Sequence, residues 1–213
     1  MLLDEAPEFP PKVLDALRTP LESGVVTISR SRAQARYPAR FQLVLAANPC
    51  PCGNAATPGR ECTCPPMMIR RYAAKISGPI RDRIDIVQAF RPLRKAFVRI
   101  GTGEAESSAV VAARVLEARA RQARRLEDTE WQTNGEVPGP HLRKQLPLPV
   151  GAKMLDDAVR GGRVSSRGVD KVLRLAWSLA DLAARDRPTA EDLAAALAMR
   201  RGDGPRDVVR VVS

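Results

Sequence analysis

The stretch FQLVLAANPCPCG, residues 41–53, contains the change from apolar strand to polar loop on which the fold prediction depends. Residues 41–47 are nearly all apolar, which is typical of a strand buried on both faces of an α/β sheet. Asn48 ends this strand, and a loop rich in proline and cysteine follows over residues 49–66. We therefore predict an α/β fold in which Asn48 stands at the end of a buried strand.

A second strand end lies at the start of the sequence, where Leu2 and Leu3 precede Asp4 and Glu5. An apolar strand that ends in Asp-Glu has the pattern of a Walker B element. In that element the Asp helps to hold Mg²⁺ on a nucleotide, and the Glu orients or activates the attacking water. This pattern alone is weak, because an exposed acidic pair after a strand is common. Asn48 strengthens the interpretation, because it could sense the γ-phosphate at the same site. The alternative for Asn48 is a turn residue.

Between these two strand ends, the sequence predicts a short helix and then a β-hairpin. Apolar residues at helical spacing predict a helix that ends near Ser23-Gly24. Residues 25–37 predict the hairpin, with Arg30 and Arg32 at its tip and Arg36 on the return strand. This spacing suits contacts that hold a nucleic-acid backbone without reading bases. The alternative is an ordinary basic turn on a basic protein.

Beyond the cysteine loop, residues 67–75 predict a helix that Ser77-Gly78-Pro79 ends, and residues 83–87 predict a strand. Arg83 precedes this strand and could project toward the nucleotide of a neighbouring subunit. A surface ion pair is the alternative role for Arg83.

The sequence changes in character near residue 103, after which alanine, leucine and arginine dominate at helical spacing. Helices are predicted over residues 106–126, 141–145, 150–160 and 165–184, and Thr189 caps a last one. Four arginines of the first of these helices are predicted to form a solvated face, with a contribution to a nucleic-acid surface as the alternative: Arg119, Arg121, Arg124 and Arg125. We predict an α/β lobe over residues 1–103, a helical domain over 104–202 and a tail over 203–213.

The four cysteines form two close pairs, Cys50 with Cys52 and Cys62 with Cys64. Four thiolates arranged in this way can enclose Zn²⁺ tetrahedrally, and the metal would be structural because no position is left for a water. The single-residue gap within each pair is tighter than usual, so four reduced thiols in a surface loop are the alternative. In a reducing compartment, disulfides are the less expected state.

The net charge and the hydropathy of the sequence favour a protein that binds polyanions and argue against a membrane-spanning or secreted protein. The chain has 35 Lys and Arg against 24 Asp and Glu, a net charge of +11, which favours polyanionic partners such as nucleic acid or nucleotides. An arginine-rich genomic composition is the alternative cause. No apolar run reaches the roughly 18–20 residues that a membrane span requires. Acidic residues near Met1 do not fit a signal peptide, so we expect a cytoplasmic protein without membrane contacts.

Together these motifs resemble the ComM/YifB proteins, magnesium-chelatase-like AAA+ ATPases of bacteria. The motifs that carry the resemblance are LDEAPEF (3–9), AANPCPCG (46–53), SGPIRDRIDI (77–86) and SSRGVDKVLRLA (165–176). The resemblance implies a partial AAA+ P-loop NTPase lobe, from Walker B onward, followed by an α-helical lid. It also implies a ring, hexameric in the full-length parent, that uses ATP to drive DNA branch migration during natural transformation. In such rings a hairpin before the sensor strand often points into the pore.

The same resemblance implies roles for individual residues. Asp4 and Glu5 become Walker B, with Mg²⁺ bound through Asp4, and Asn48 becomes sensor 1. Arg83 becomes the arginine finger, and Arg167 becomes sensor 2 of the lid. ATP would therefore contact Asp4, Asn48 and Arg167.

One departure from the family pattern is that the sequence contains no GxxxxGK(S/T) loop to cradle the β- and γ-phosphates. We therefore expect the C-terminal half of such a protein, with little ATPase activity alone. Two other functions stay open. One is a magnesium-chelatase subunit for porphyrin metallation, and the other is a non-catalytic fragment that binds zinc and DNA.

Overall fold

A computed structural model of the chain describes residues 1–31, 33–55, 59–90 and 106–202. Arg32, the predicted boundary at residue 103 and the predicted tail at 203–213 lie outside these residues, so they stay predictions. The fold is mixed α/β and separates into two compact units, Met1–Ile84 and a second that begins at Asp85. No helix in the described ranges has both the length and the apolar character needed to cross a membrane.

The first unit combines short strands with short helices. Its strands are β1 (Leu2–Leu3), β2 (Val25–Arg30), β3 (Ala33–Pro38) and β4 (Val44–Leu45). Its helices are a 3₁₀ turn (Ala6–Glu8), α1 (Pro11–Ala16), α2 (Arg18–Ser23), α3 (Pro66–Ala74) and α4 (Gly78–Arg83).

Strands β1 and β4 lie side by side and run parallel, although more than 30 residues separate them in the sequence. Leu2 pairs with Val44 and Leu3 with Leu45. The expectation that residues 41–47 form a strand buried on both faces is wrong in this structure. Leu43 is buried, but Val44 is 50% exposed. In the described ranges the strand has only two residues, Val44–Leu45, and it pairs with β1 alone, so it is not the central strand of a larger sheet.

The predicted hairpin is confirmed as the antiparallel pair β2–β3. Its register runs from Val25 opposite Pro38 to Arg30 opposite Ala33. Val25 is half-buried, and every other described residue of the two strands is exposed. The hairpin therefore presents both faces to solvent. Its base is closed by Gly24, which has a left-handed φ of 67° and whose carbonyl accepts a hydrogen bond from the Ala39 N–H at 2.7 Å.

Two helical predictions in this unit are confirmed, and the predicted strand at 83–87 is wrong. Helix α3 covers the predicted 67–75 segment, and α2 ends at Gly24 as expected. Arg83, however, is the last residue of the short helix α4. Further along, in the second unit, the Val87 N–H donates to the Met199 carbonyl at 2.9 Å, so this segment bonds to a helix end and not to a strand.

All the regular secondary structure among the described residues of the second unit is helical. Its helices are α5 (Ser108–Arg125), α6 (Gly139–Lys144), α7 (Lys153–Arg160), α8 (Ser166–Leu182) and α9 (Ala190–Arg201). Helix α8 is central and packs against each of the other four. Trp177 of α8 is 1% exposed and lies within the apolar core with Leu142, Leu173 and Leu193. The predicted amphipathic helix at 165–184 is therefore confirmed.

Candidate functional site

The acidic residues and Asn48 follow neighbouring strands of the same small sheet. The Ala6 N–H donates to the Ala46 carbonyl at 2.8 Å, which extends the parallel ladder beyond the ends of β1 and β4. Asp4 and Glu5 precede Ala6, Asn48 lies two residues past Ala46, and all three side chains are exposed. Because the carboxyl ends of parallel strands meet at one edge, these two segments leave the same end of the sheet, and their joint role at one site stays a prediction.

Glu5 adopts a backbone conformation that is uncommon for a residue with a side chain. Its φ is 49° and its ψ is 43°, which is the left-handed region. Such a conformation costs about 1 kcal/mol or more and persists where the surrounding structure holds it. Here the Glu5 N–H donates to Asp4 Oδ1 at 2.9 Å, and the Glu5 carbonyl accepts from the Glu8 N–H at 2.7 Å. The acidic pair therefore lies on a tight turn, which these two hydrogen bonds stabilise.

The two arginines predicted for this site stand in different surroundings. Arg83 forms a salt bridge with Glu22 of α2, and its Nη1 donates to the Pro79 carbonyl at 3.0 Å. Its side chain is 20% exposed, which makes it a partly buried ion pair. Arg167 is exposed in the first turn of α8, which belongs to the second unit. Asp4, Glu5 and Asn48 belong to the first unit, and the role of Arg167 as sensor 2 stays a prediction.

The four cysteines converge, although nine residues lie between Cys52 and Cys62. All four Sγ atoms lie within 4.8 Å of one another. The Cys50 and Cys52 sulfurs are 3.3 Å apart, and Cys62 lies 3.7 Å from each of them. Four sulfurs placed tetrahedrally at the usual Zn–S length of about 2.3 Å stand about 3.8 Å apart. The spacing therefore fits a closed four-thiolate zinc centre.

The backbone around the cluster is shaped to support thiolates. The Ala55 N–H donates to Cys50 Sγ at 3.3 Å, and the Gly53 N–H donates to the Cys50 carbonyl at 3.0 Å. Gly53 and Gly59 both have a left-handed φ of 77°, which glycine adopts without steric cost. Cys50 is fully buried, whereas Cys52 is exposed. One side of the cluster thus belongs to the protein interior and the other faces solvent.

The pKa values of the cysteines in the cluster differ from one another, because a thiolate on one sulfur disfavours a second thiolate on its neighbour. The backbone N–H of Asn54 and the neighbouring Cys50 and Cys64 lower the pKa of Cys52 to about 6. The amide of Cys64 acts in the same direction on Cys62. Desolvation and the sulfurs of Cys52 and Cys50 outweigh it, however, and raise the pKa of Cys62 to about 12. Sulfurs this close ionise together only when a cation neutralises them.

Sequence reasoning missed two residues of α3, Tyr72 and Lys75. Burial raises the pKa of the Tyr72 hydroxyl, and the charges of Glu8, Glu5 and Cys50 act in the same direction. Lys75 Nζ lies 3.5 Å from Glu8 Oε2 and 5.6 Å from the centre of the Tyr72 ring, so α3 contacts the turn that follows the acidic pair. An aromatic residue and a lysine in a helix after a loop are too common a pattern to identify these residues from the sequence.

Arg30 and Arg36 are both exposed but lie on opposite faces of the hairpin. Side chains alternate across a strand, and directly opposite residues share a face. Arg30 therefore lies on the same face as Ile28 and Tyr37, whereas Arg36, opposite Thr27, lies on the other. Ile28 and Tyr37 are 51% and 53% exposed, so the Arg30 face carries apolar surface as well as charge.

Two family models match most of the chain between them. The model described as "magnesium chelatase, subunit ChlI" matches residues 1–97. The model described as "magnesium chelatase, subunit ChlI C-terminal" matches residues 105–200. An uncharacterized protein of Mycobacterium tuberculosis H37Rv is 46% identical over 204 residues, 94% of this chain and 39% of that protein.

Two further relatives have names. The uncharacterized protein YifB of Escherichia coli K12 is 36% identical over 95% of this chain and 39% of its own length. Competence protein ComM of Haemophilus influenzae is 35% identical over 94% of this chain and 38% of its own length. The chain belongs to the magnesium-chelatase-like family that includes YifB and ComM. It spans about two fifths of the length of these curated relatives.

Proposed function

We propose that this chain supplies the Walker B end and the lid of an ATP-driven DNA motor that works as a ring, hexameric in its full-length form. In this proposal residues 1–103 are part of an AAA+ P-loop lobe, residues 104–202 are the lid, and the protein is cytoplasmic. The observation that supports the proposal is the parallel pairing of β1 with β4, because Asp4 and Glu5 follow one of these strands and Asn48 follows the other.

The donor set at this edge fits a magnesium nucleotide. Mg²⁺-ATP supplies a phosphoanhydride whose cleavage releases free energy, and carboxylate and amide oxygens suit its cation and attacking water. In our proposal the Asp4 carboxylate holds the cation, Glu5 orients the attacking water, and the Asn48 amide senses the γ-phosphate. Arg167 acts on the same site from the lid.

Arg83 has a different part in the proposal, because it would serve the site of an adjacent protomer. A guanidinium brought to a γ-phosphate stabilises the charge that develops there. The Glu22 partner, whose side chain is 63% exposed, keeps Arg83 paired within its own chain. Release from Glu22 on ring assembly would make it available to the neighbouring nucleotide.

In our proposal the phosphate-binding loop is supplied from outside these 213 residues. The 213 residues contain no GxxxxGK(S/T) sequence, and the relatives are more than twice as long as the matched region. We therefore propose that this chain alone hydrolyses ATP at a background rate and that turnover requires the longer protein.

We also propose that the four cysteines hold one structural zinc ion. The near-tetrahedral sulfur spacing and the amide donors to sulfur support this assignment. The cluster begins two residues after Asn48, so the metal would stiffen the loop that carries the sensor. With four thiolate ligands the ion has no open coordination position, which excludes a bound catalytic water.

The hairpin is our candidate for the DNA contact. Both of its faces are exposed, and Arg30 and Arg36 give it positive charge, with Arg32 between them in the sequence. Contacts of this kind neutralise phosphates and do not read bases, so binding would be sequence-tolerant and salt-dependent.

The test joins this chain to the Walker A-containing remainder of a family member and measures ATP hydrolysis. We expect DNA-stimulated turnover in the joined protein. Glu5→Gln should lower it by at least about 100-fold while nucleotide binding persists, because only the water-orienting group is lost. Glu127→Gln removes the same charge from an exposed position of the second unit and should leave turnover unchanged. Rapid hydrolysis by the Glu5→Gln protein would contradict the proposed role.

A second candidate is a subunit that drives metal insertion into a porphyrin, which the description of the two family models favours. The 35% identity to competence protein ComM, which extends over 94% of this chain, favours the DNA motor. The same joined protein separates the two, because turnover stimulated by branched DNA is expected of a motor and not of a chelatase subunit.

A further inference from the structure

The Arg30 face of the hairpin carries an exposed aromatic residue that the proposed phosphate contacts leave unused. Tyr37 lies opposite Val26, and Ile28 and Ala35 form the next pair on the same face. Val26, Ile28 and Tyr37 are 37%, 51% and 53% exposed. Single exposed apolar residues are ordinary, whereas apolar residues exposed side by side are the ones that mark interaction sites. This face therefore requires an explanation beyond its charge.

The ring of Tyr37 is open to a flat ligand. Among the residues that the structure describes, the aromatic and cation–π contacts involve the rings of Trp131, Tyr72 and Trp177, and not that of Tyr37. The next residue of β3 on the same face is Ala35, whose side chain is a single methyl group. A small side chain beside the ring leaves room for another planar group to lie against it.

The charge of the hairpin indicates which ligand this face would take. Residues 25–40 contain no aspartate or glutamate, and they contain four arginines: Arg30, Arg32, Arg36 and Arg40. Arg30 shares the face of Tyr37 and stands two residue pairs nearer the tip, about 13 Å along the strand. A second copy of this face would bring like charges together, which disfavours pairing of two hairpins. A polyanion that also carries planar aromatic groups complements both features.

Single-stranded DNA has this combination in an accessible form. Every base has a π face, so stacking on an aromatic side chain is tolerant of sequence. In a duplex the same faces are covered by the neighbouring base pairs, and only the phosphates and the groove edges are accessible. A duplex could therefore engage Arg30, but it offers no base face to Tyr37.

We infer that the Arg30 face of the hairpin binds single-stranded DNA, with Tyr37 stacked on a base and Arg30 on a phosphate of the same strand. The inference rests on the proposed DNA contact of the hairpin, and it adds the form of DNA that the contact takes. Arg36, on the opposite face, contributes charge but does not touch the stacked base. The hairpin thus prefers a displaced strand to the duplex from which that strand came.

Fluorescence anisotropy on the whole chain tests the inference with three ligands of equal phosphate number: oligo-dT, an abasic strand and a duplex. Wild type should bind oligo-dT at least about fivefold more tightly than the abasic strand, which is the lower range for one base stacked on an aromatic side chain. Tyr37→Ile keeps an apolar side chain that suits a strand. It should lower the affinity for oligo-dT to that for the abasic strand and leave the other two affinities unchanged.

Two control variants assign the effect to the ring at this position. Tyr37→Phe keeps the ring without the hydroxyl and should bind all three ligands as wild type does. Phe90→Ala removes a side chain of the second unit that is 88% exposed, and it should also behave as wild type. As a measurement on the unaltered protein, a strand that carries 5-iodouracil should crosslink to Tyr37 on irradiation, with the site identified by mass spectrometry.

Several results would overturn the inference. They are equal affinity of the wild type for oligo-dT and the abasic strand, a preference for oligo-dT that survives in Tyr37→Ile, a loss in Tyr37→Phe as large as in Tyr37→Ile, and a crosslink elsewhere. A wild-type dimer that Tyr37→Ile dissociates, seen by analytical ultracentrifugation without any preference for oligo-dT, would make the face an interface between copies of the chain.

Failure of the underlying proposal gives a different result. If the hairpin does not contact DNA, charge reversal at Arg30 and Arg36 leaves the binding of all three ligands unchanged. If charge reversal weakens binding of all three while Tyr37→Ile has no effect, the DNA contact stands and the stacking fails. Because these are equilibrium binding measurements, a joined protein without DNA-stimulated turnover counts against the motor and not against the stacking.

Discussion

Cys50 differs from the other cysteines because it joins the cluster to the protein interior. It has no exposed surface, whereas Cys52 is exposed. Cys50→Ser therefore removes one ligand of the proposed zinc ion. It also replaces the sulfur that accepts the Ala55 N–H with a hydroxyl in a fully buried position. The buried member of the set should be the one whose loss is most disruptive.

The first prediction concerns metal content. Purified protein should contain about one zinc per chain, because four thiolates complete one tetrahedral site. Cys50→Ser and Cys62→Ser should each lose most of the metal, as measured by elemental analysis. Thr63→Ala, which alters an exposed residue between two ligands, should keep it. Zinc-free protein purified under reducing conditions without chelator would refute the assignment.

A buried polar group in the second unit shows how much a single residue contributes to its stability. Asp181 is 1% exposed and accepts two hydrogen bonds from Arg125, at 2.6 and 2.7 Å, and one from Asn134 at 2.9 Å. Arg125 also stacks 4.3 Å from the ring of Trp177. The expectation that Arg125 belongs to a solvated helix face is therefore wrong, because its charge is paired inside the unit.

The second prediction follows from this ion pair. Asp181→Ala should lower the free energy of unfolding by about 3 kcal/mol, because it leaves a partly buried guanidinium without its counter-ion. Urea denaturation followed by tryptophan fluorescence measures it, since Trp131 and Trp177 both lie in this unit. Asp157→Ala breaks an exposed pair with Arg160 and should cost less than about 1 kcal/mol. Equal losses in the two variants would show that burial of the pair does not matter.

At the scale of elements, helix ends are well specified. Thr189 and Asp192 form a reciprocal capping box at the start of α9: the Thr189 N–H donates to Asp192 Oδ2 at 2.8 Å, and the Asp192 N–H donates to Thr189 Oγ1 at 3.2 Å. Ser165 caps α8 by accepting from the Gly168 N–H at 3.1 Å. These caps hold the ends of the two helices that contribute most to the core.

The third prediction tests the capping box. Thr189→Ala should destabilise the second unit by about 1 kcal/mol, because the N–H of Asp192 loses its acceptor. Thr189→Ser keeps the hydroxyl and should change the free energy of unfolding by less than about 0.5 kcal/mol. Thermal or urea denaturation of the two variants side by side gives the answer. A loss in Thr189→Ser as large as in Thr189→Ala would assign the effect to the methyl group.

At the scale of the whole molecule, the net charge of +11 makes nonspecific attraction to DNA a background that any specific site must exceed. The hairpin differs from the rest of the basic surface because it projects with both faces exposed. Salt dependence distinguishes the two, since each phosphate contact contributes a slope of about 0.9 for duplex DNA.

The fourth prediction uses charge reversal. Arg30→Glu combined with Arg36→Glu should weaken DNA binding and lower the slope of log K against log salt by about two contacts. Arg124→Glu with Arg187→Glu makes the same change in net charge at exposed positions of the second unit and should have a smaller effect. Fluorescence anisotropy over a salt series measures both. Equal effects would mean that the general basic surface, and not the hairpin, binds DNA.

Features encoded within a few neighbouring residues were predictable from the sequence. Helix α8 follows from its apolar spacing, the start of α9 from Thr189, and the β2–β3 pairing from two short strands around a basic turn. The order of motifs also identified the family. Local geometry decides these features, because periodicity, caps and tight turns depend on contacts between residues close in the chain.

Contacts between distant segments were decided by the tertiary structure alone. The sequence indicated that Leu3 and Leu45 belong to strands. It did not indicate that the two residues pair directly, or that Val44 beside Leu45 is 50% exposed. It gave no sign that Lys75 forms an ion pair with Glu8, or that Asp181 neutralises Arg125. Each of these depends on which surfaces meet when the chain closes long loops, and a local pattern carries no record of that choice.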